Sequence, residues 1–188
     1  MVRVISGSAR GRKLVSPEGL DTRPTTDRVK ESIFNIIMPH LPADSVLDLF
    51  SGSGALGIEA LSRGSNHCTF VESSRDAQKV TAENIDLARV KDRAEIVFGD
   101  ALAFLDKAGI KFDLIFLDPP YNTGLLTKSL TKIYENNLLS DNGIIVAESE
   151  YMGEEPPSDF FNVKKYAKYG KTTVFILQKK TFQGEKNI

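Results

Sequence analysis

Val46-Leu47-Asp48-Leu49-Phe50-Ser51-Gly52-Ser53-Gly54-Ala55-Leu56-Gly57 is the stretch on which the reading of this chain turns. An apolar run of strand type leads into glycines spaced G-x-G-x-x-G (Gly52, Gly54, Gly57), and a helical pattern follows. Glycine tolerates positive φ and lets a ligand approach the backbone, while a helix N-terminus offers unpaired N–H groups. Glu72 stands twenty residues after Gly52, at the end of the next apolar run, where a carboxylate can grip a ribose diol. NAD and S-adenosylmethionine both satisfy this much. Asp48, just before the loop, favours the sulfonium cofactor. It can face the ammonium group of a methionine moiety, whereas it would repel a pyrophosphate.

Outward from this turn, apolar runs recur at Val46-Leu47, Thr69–Val71, Ile96–Phe98, Leu114–Leu117 and Ile144–Ala147. Helical segments are expected between them near Ala55–Ser62, Asp76–Ala88, Ala101–Lys107 and Leu125–Asn137. Strand–helix alternation predicts an α/β fold with a mostly parallel sheet covered on both faces. Two further runs, Val163–Tyr169 and Thr173–Leu177, are separated by too few residues for a crossover helix. They are expected to form an antiparallel hairpin at one edge. Five parallel strands plus such a hairpin is the seven-stranded, Rossmann-like layout of methyltransferases, whereas a dinucleotide fold keeps its sixth strand parallel.

The first forty residues read differently. Short strands are expected at Val2–Ile5 and Lys13–Val15, then a helix from a cap at Thr25 or Thr26 to about Met38, stopped by Pro39 and Pro42. The expected organisation is an N-terminal extension over 1–40, a domain of the methyltransferase layout over 41–180 and a frayed tail over 181–188.

With 41% hydrophobic and 26% charged residues the composition is that of an ordinary globular protein. No run approaches ~20 consecutive apolar residues, so no transmembrane helix is expected. A signal-peptide pattern is also missing from the first residues. The single cysteine, Cys68, excludes an intramolecular disulfide and suits a reducing cytoplasm; with only His40 and His67 beside it, no metal site is expected. The net charge of −1 conceals an asymmetry. Seven Lys or Arg in residues 1–30 face three acids, a net +4, which leaves −5 for the remainder.

The second chemical motif is Asp118-Pro119-Pro120-Tyr121, at the end of the run Phe112–Leu117. Ligands of open α/β sheets sit beyond the carboxyl ends of strands, which brings this turn beside the glycine loop. Consecutive prolines remove two donors and fix two φ angles, so the turn is stiff. The Asp118 carboxylate and the Pro119 carbonyl can each accept one N–H of an exocyclic amine and hold its nitrogen in line for methyl transfer. An anionic Asp118 stabilises the positive charge that the nitrogen gains, and Tyr121 can stack on the base. The turn alone leaves the base open: adenine N6 and cytosine N4 fit it as well.

The runs Arg10–Leu14, Thr22-Arg23-Pro24-Thr25-Thr26-Asp27-Arg28-Val29-Lys30-Glu31, Asp48–Gly57, Phe70-Val71-Glu72 and Phe116–Tyr121 together resemble the RsmD family of bacterial 16S rRNA guanine-N2 methyltransferases. The likeness spans nearly the whole chain, and its Arg-Pro-Thr…Asp-Arg element is the most distinguishing part. It implies methylation of N2 of a guanine, position 966 in the family's name, within 16S rRNA on a small-subunit assembly particle; apart from the resemblance, a cytoplasmic monomer is expected. It implies cofactor contacts from Asp48, Ser51, Gly52, Gly54 and Glu72. Asp100 would receive the adenine amino group, with Ala101 beside it. The catalytic set would be Asp118, Pro119 and Tyr121. Arg10, Arg12, Lys13, Arg23 and Arg28 are the expected RNA contacts, since cations neutralising phosphates dominate nucleic-acid affinity.

Overall fold

The computed structural model describes residues 2–16, 27–121, 123–150 and 160–180. A two-stranded hairpin comes first, β1 (Val2–Arg3) with β2 (Lys13–Leu14). Helix α1 spans Asp27–Ile36. Its expected cap at Thr25 or Thr26 lies outside the described residues. It stops two residues short of Met38 because Pro39 has no N–H to donate back to the helix. A 3-10 turn, Met38–His40, follows instead.

The sheet is built from β3 (Ser45–Asp48), β4 (His67–Glu72), β5 (Ala94–Phe98), β6 (Phe112–Leu117), β7 (Leu139–Glu150), β8 (Phe161–Tyr169) and β9 (Thr172–Lys179). Between these strands run α2 (Ala55–Ser62), α3 (Arg75–Ala88), α4 (Ala101–Lys107) and α5 (Leu125–Glu135). The strand order is β5-β4-β3-β6-β7-β9-β8. The first five of these strands run parallel; β9 pairs antiparallel with both β7 and β8. The predicted mostly parallel seven-stranded sheet with a terminal antiparallel hairpin is therefore the fold. β7 begins five residues before its apolar run, and the Asp141-Asn142-Gly143 stretch is absorbed as an irregularity opposite β6. Helix α5 ends at Glu135, two residues early, because Asn137 takes φ +52°.

Each buried strand sends alternate side chains to opposite faces. Val46, Phe70, Leu114, Phe116, Ile144 and Val146 meet α1, α2 and α3 on one face. Leu47, Val71, Ile115, Leu117 and Ile145 meet α4 and α5 on the other. Cys68 is a core residue of the first face. Val2, Val4, Ala9 and Leu14 join that same cluster, so the N-terminal hairpin and α1 share the sheet's core.

A buried ion cluster fixes that junction. Glu59 of α2 and Lys30 of α1 are both fully buried, with Lys30 Nζ 3.3 Å from Glu59 Oε2. Glu59 also accepts from Ile5 N (2.8 Å), Ser6 N (3.0 Å) and Arg63 Nε (2.9 Å). Lys30 donates onward to the Arg3 carbonyl. Burial lowers the Lys30 ammonium's pKa, and Glu59 opposes that shift.

Candidate active site

The strand order reverses between β3 and β6, which opens a crevice at their carboxyl ends. Each of the five parallel strands delivers a carboxylate to that edge. Asp48 ends β3 and Glu72 ends β4; Asp100 follows β5, Asp118 follows β6, and Glu148 lies near the end of β7.

The glycine loop is held from three sides. Gly52 and Gly54 take φ +53° and +75°, which L side chains rarely adopt. Gly57 is needed for space: a Cβ there would lie 2.4 Å from the Phe70 ring. The Gly57 N–H donates to Asp48 Oδ2 at 3.0 Å. Glu72 accepts from Gly52 N at 2.9 Å and from Ser74 N at 2.7 Å, so its two oxygens are oriented by backbone donors. From α3, Thr81 Oγ1 donates to the Gly52 carbonyl (2.8 Å) and Asn84 Nδ2 to the Ser53 carbonyl (2.8 Å). Asn84 also exchanges hydrogen bonds with Val15 N and O (2.7 and 2.9 Å). It therefore ties the N-terminal hairpin to the loop. Sequence reading did not single out Thr81 and Asn84. Their only signal was a polar pair on the buried face of α3, beside Ala77, Ile85 and Ala88.

Asp48 is buried and its pKa is pushed up to about 7, first by desolvation and then by Asp118 and Glu72, against the Gly57 hydrogen bond. Desolvation likewise raises Asp118 to about 6. Pro119 is buried, and no hydrogen bond among the described residues reaches its carbonyl. Thr123 Oγ1 donates to the Pro120 carbonyl at 2.7 Å, bracing the turn. The Tyr121 ring is 43% exposed, with its hydroxyl 3.4 Å from Thr172 Oγ1. Asp100 caps α4, accepting from Ala103 N at 2.8 Å through one oxygen and leaving the other, and Ala101 beside it is buried.

This edge suits S-adenosylmethionine. Neighbouring carboxylates pay a repulsion that a sulfonium and an ammonium group relieve, and an anionic dinucleotide would worsen. The Ser51 hydroxyl, buried in the loop, has no hydrogen-bond partner among the described residues. Asp48 and Ser51 would hold the methionine end, Glu72 the ribose, and Asp100 with Ala101 the adenine.

The N-terminal cations are less available than their number suggests. Lys30 is internal, Arg3 pairs with Asp27 at 2.9 Å, and Arg12 donates to the Leu87 carbonyl at 2.7 Å. Arg10, Lys13 and Arg28 are exposed. Arg28 is in none of the ion pairs among the described residues, and Arg23 lies outside them. Among the described residues no group of acids, His and Cys could hold a metal, and no helix is long and apolar enough to cross a membrane.

A family model described as "Conserved hypothetical protein 95" matches residues 2–178. The chain belongs to this family, that of RsmD. The Bacillus subtilis protein YlbH is 44% identical over 184 residues, covering 95% of this chain and all of that one. Ribosomal RNA small subunit methyltransferase D of Escherichia coli is 39% identical over 149 residues, 79% of this chain and 75% of its own. The solved Escherichia coli protein yhhF superposes with a TM-score of 0.85 at 35% identity, covering 95% of this chain and 98% of that one. Membership of the RsmD family accords with the seven-stranded sheet and its terminal hairpin.

Proposed function

We propose that this protein transfers a methyl group from S-adenosylmethionine to the exocyclic N2 of a guanine in small-subunit ribosomal RNA, position 966 in the family's name, in the cytoplasm. The observation that carries the reading is the Asp118-Pro119 pair: a half-buried carboxylate beside a carbonyl with no partner among the described residues, at the switch point and next to the glycine loop. The name of the Escherichia coli relative supports the ribosomal substrate.

S-adenosylmethionine supplies a methyl group on a positively charged sulfur. The chain's own residues supply position and charge. Asp118 accepts one N–H of the amine and the Pro119 carbonyl the other, which aims the nitrogen lone pair at the methyl carbon. As the N–C bond forms and the methyl–sulfur bond breaks, its electron pair staying on a sulfur that leaves as a neutral thioether, the nitrogen becomes cationic, and Asp118, anionic above about pH 6, stabilises it and takes the released proton. Tyr121 stacks on a base that has left its helix, a step costing a few kcal/mol.

Transfer of a labelled methyl group to 30S particles and to naked 16S rRNA, followed by nucleoside identification, tests this. The expected product is N2-methylguanosine. A methylated adenine or cytosine with unmodified guanosine would overturn the base assignment.

A further inference from the structure

Residues 160–180 contain six lysines (Lys164, Lys165, Lys168, Lys171, Lys179 and Lys180) and no acid, a net +6 in a chain of net −1. They build the outer hairpin of the sheet, with β8 as the edge strand. Lys164, Lys165, Lys168 and Lys171 are exposed, as are Val163 and Tyr166, the latter at 61%. Lys164, Lys165 and Lys171 take part in none of the ion pairs among the described residues. Lys179, by contrast, is held by Asp141 and Asn137.

The register puts one end of this hairpin at the active-site rim. Glu150 of β7 and Tyr169 of β8 both pair with Thr172. The Gly170-Lys171 turn therefore sits at the carboxyl edge, where Thr172 meets the Tyr121 hydroxyl. Ser32 of α1 hydrogen-bonds Tyr169, and exposed Arg28 lies one helical turn before Ser32 on the same side of α1.

We propose that the outer edge of β8 and the β8–β9 turn, with Arg28, form an RNA-phosphate surface that holds the strand flanking the target nucleotide. This rests on the ribosomal RNA reading. A base drawn out of its stack to Asp118 leaves its flanking phosphates at the crevice mouth. The crevice itself, edged by five carboxylates, repels them. The backbone must leave toward cations, and the side bounded by Thr172 leads directly to Lys171 and then along β8. Lysine on an edge strand also blocks edge-to-edge pairing. That role explains neither the complete lack of acids over 21 residues nor the exposed Tyr166 among the lysines. An aromatic between cations is the arrangement that binds single-stranded RNA by stacking and phosphate neutralisation.

The test compares the triple variant Lys164→Ala/Lys165→Ala/Lys171→Ala with Lys91→Ala/Lys107→Ala/Lys111→Ala, which removes equal charge near the amino ends of the strands. Dissociation constants for naked 16S rRNA and for 30S particles lacking the modification are measured from low to high salt. Each lost phosphate contact to a single strand flattens the slope of log K against log salt by ~0.7, so the hairpin triple should flatten it by about 2. Its RNA affinity should fall at least about tenfold at moderate salt, while its S-adenosylmethionine affinity stays that of the wild type. An unchanged slope and affinity, or an equal loss in the control triple, overturns the proposal. So does a loss seen only with particles, which would put an acidic protein rather than RNA on this surface. If the wild type binds neither RNA nor particle, the functional reading falls too. If both triples bind normally and the wild type still makes N2-methylguanosine, only this surface falls.

Discussion

Asp118 adds to the cost of ionising Asp48 across the switch point, and its own pKa, raised by burial, becomes a rate prediction. Its pKa of about 6 means that the protonated form dominates below that pH and can no longer stabilise a cationic nitrogen. Single-turnover methyl transfer should rise with pH and level off above about pH 7, with a midpoint at or below about 6, because the bound sulfonium favours the Asp118 anion. Asp118→Asn should keep cofactor affinity nearly intact and lower the single-turnover rate by about 10²–10³, the usual scale for one positioned electrostatic group. A flat profile in the wild type, or full activity in the variant, would remove Asp118 from the chemistry. These residues were legible because their spacing to the loop and strand ends is local. Lys30 was not. It looked like one more surface cation, yet it is the buried partner of Glu59, 29 residues away in sequence. A sum of charges over the first thirty residues also hid the six lysines of the hairpin inside a remainder of −5.

At the scale of elements, strand–helix alternation was legible because the central parallel strands are apolar on both faces and each of β3 to β6 is followed by its covering helix. The docking of the N-terminal hairpin and α1 was not, because it rests on polar groups that find partners only in three dimensions. Two comparisons test that docking. Glu59→Ala strands a buried ammonium and two backbone donors, so urea unfolding should report a loss of about 3–5 kcal/mol. Lys30→Met removes the buried charge while Glu59 keeps Arg63, Ile5 N and Ser6 N, and it should cost much less. Equal losses would mean that the ion pair itself, rather than burial of unpaired groups, holds the junction. Asn84 joins the same hairpin to the glycine loop. Asn84→Ala orphans two carbonyls and a donor, which costs about 1–3 kcal/mol per buried group left unsatisfied. It should also weaken S-adenosylmethionine binding in calorimetry by roughly tenfold. Unchanged cofactor affinity would show that the loop keeps its shape without α3.

At the scale of the whole molecule, the carboxyl edge costs stability in exchange for a cation site, and this gives a pH dependence of definite sign. The pKa values of Asp48 and Asp118 are raised on folding, from an ordinary 3.8 to about 7 and about 6. Between about pH 4 and 7 the folded chain therefore holds protons that the unfolded chain has released. Stability is greatest at the acid end of that window and falls as pH rises through it. The melting temperature without cofactor should drop by at least about 4 °C from pH 5.5 to 8, since about 1 kcal/mol moves a chain of this size by 2–4 °C. A bound cation offsets the repulsion, so S-adenosylmethionine should raise the melting temperature more at pH 8 than at pH 5.5. Asp48→Asn retains an oxygen for the Gly57 N–H and removes the charge. That variant should melt above the wild type at pH 8, lose most of the pH dependence, and bind S-adenosylmethionine at least about tenfold more weakly. Differential scanning fluorimetry across pH, with and without cofactor, measures all three effects. A variant that gained stability yet bound the cofactor as tightly as the wild type would mean that the charge of Asp48 is not what the ammonium group meets.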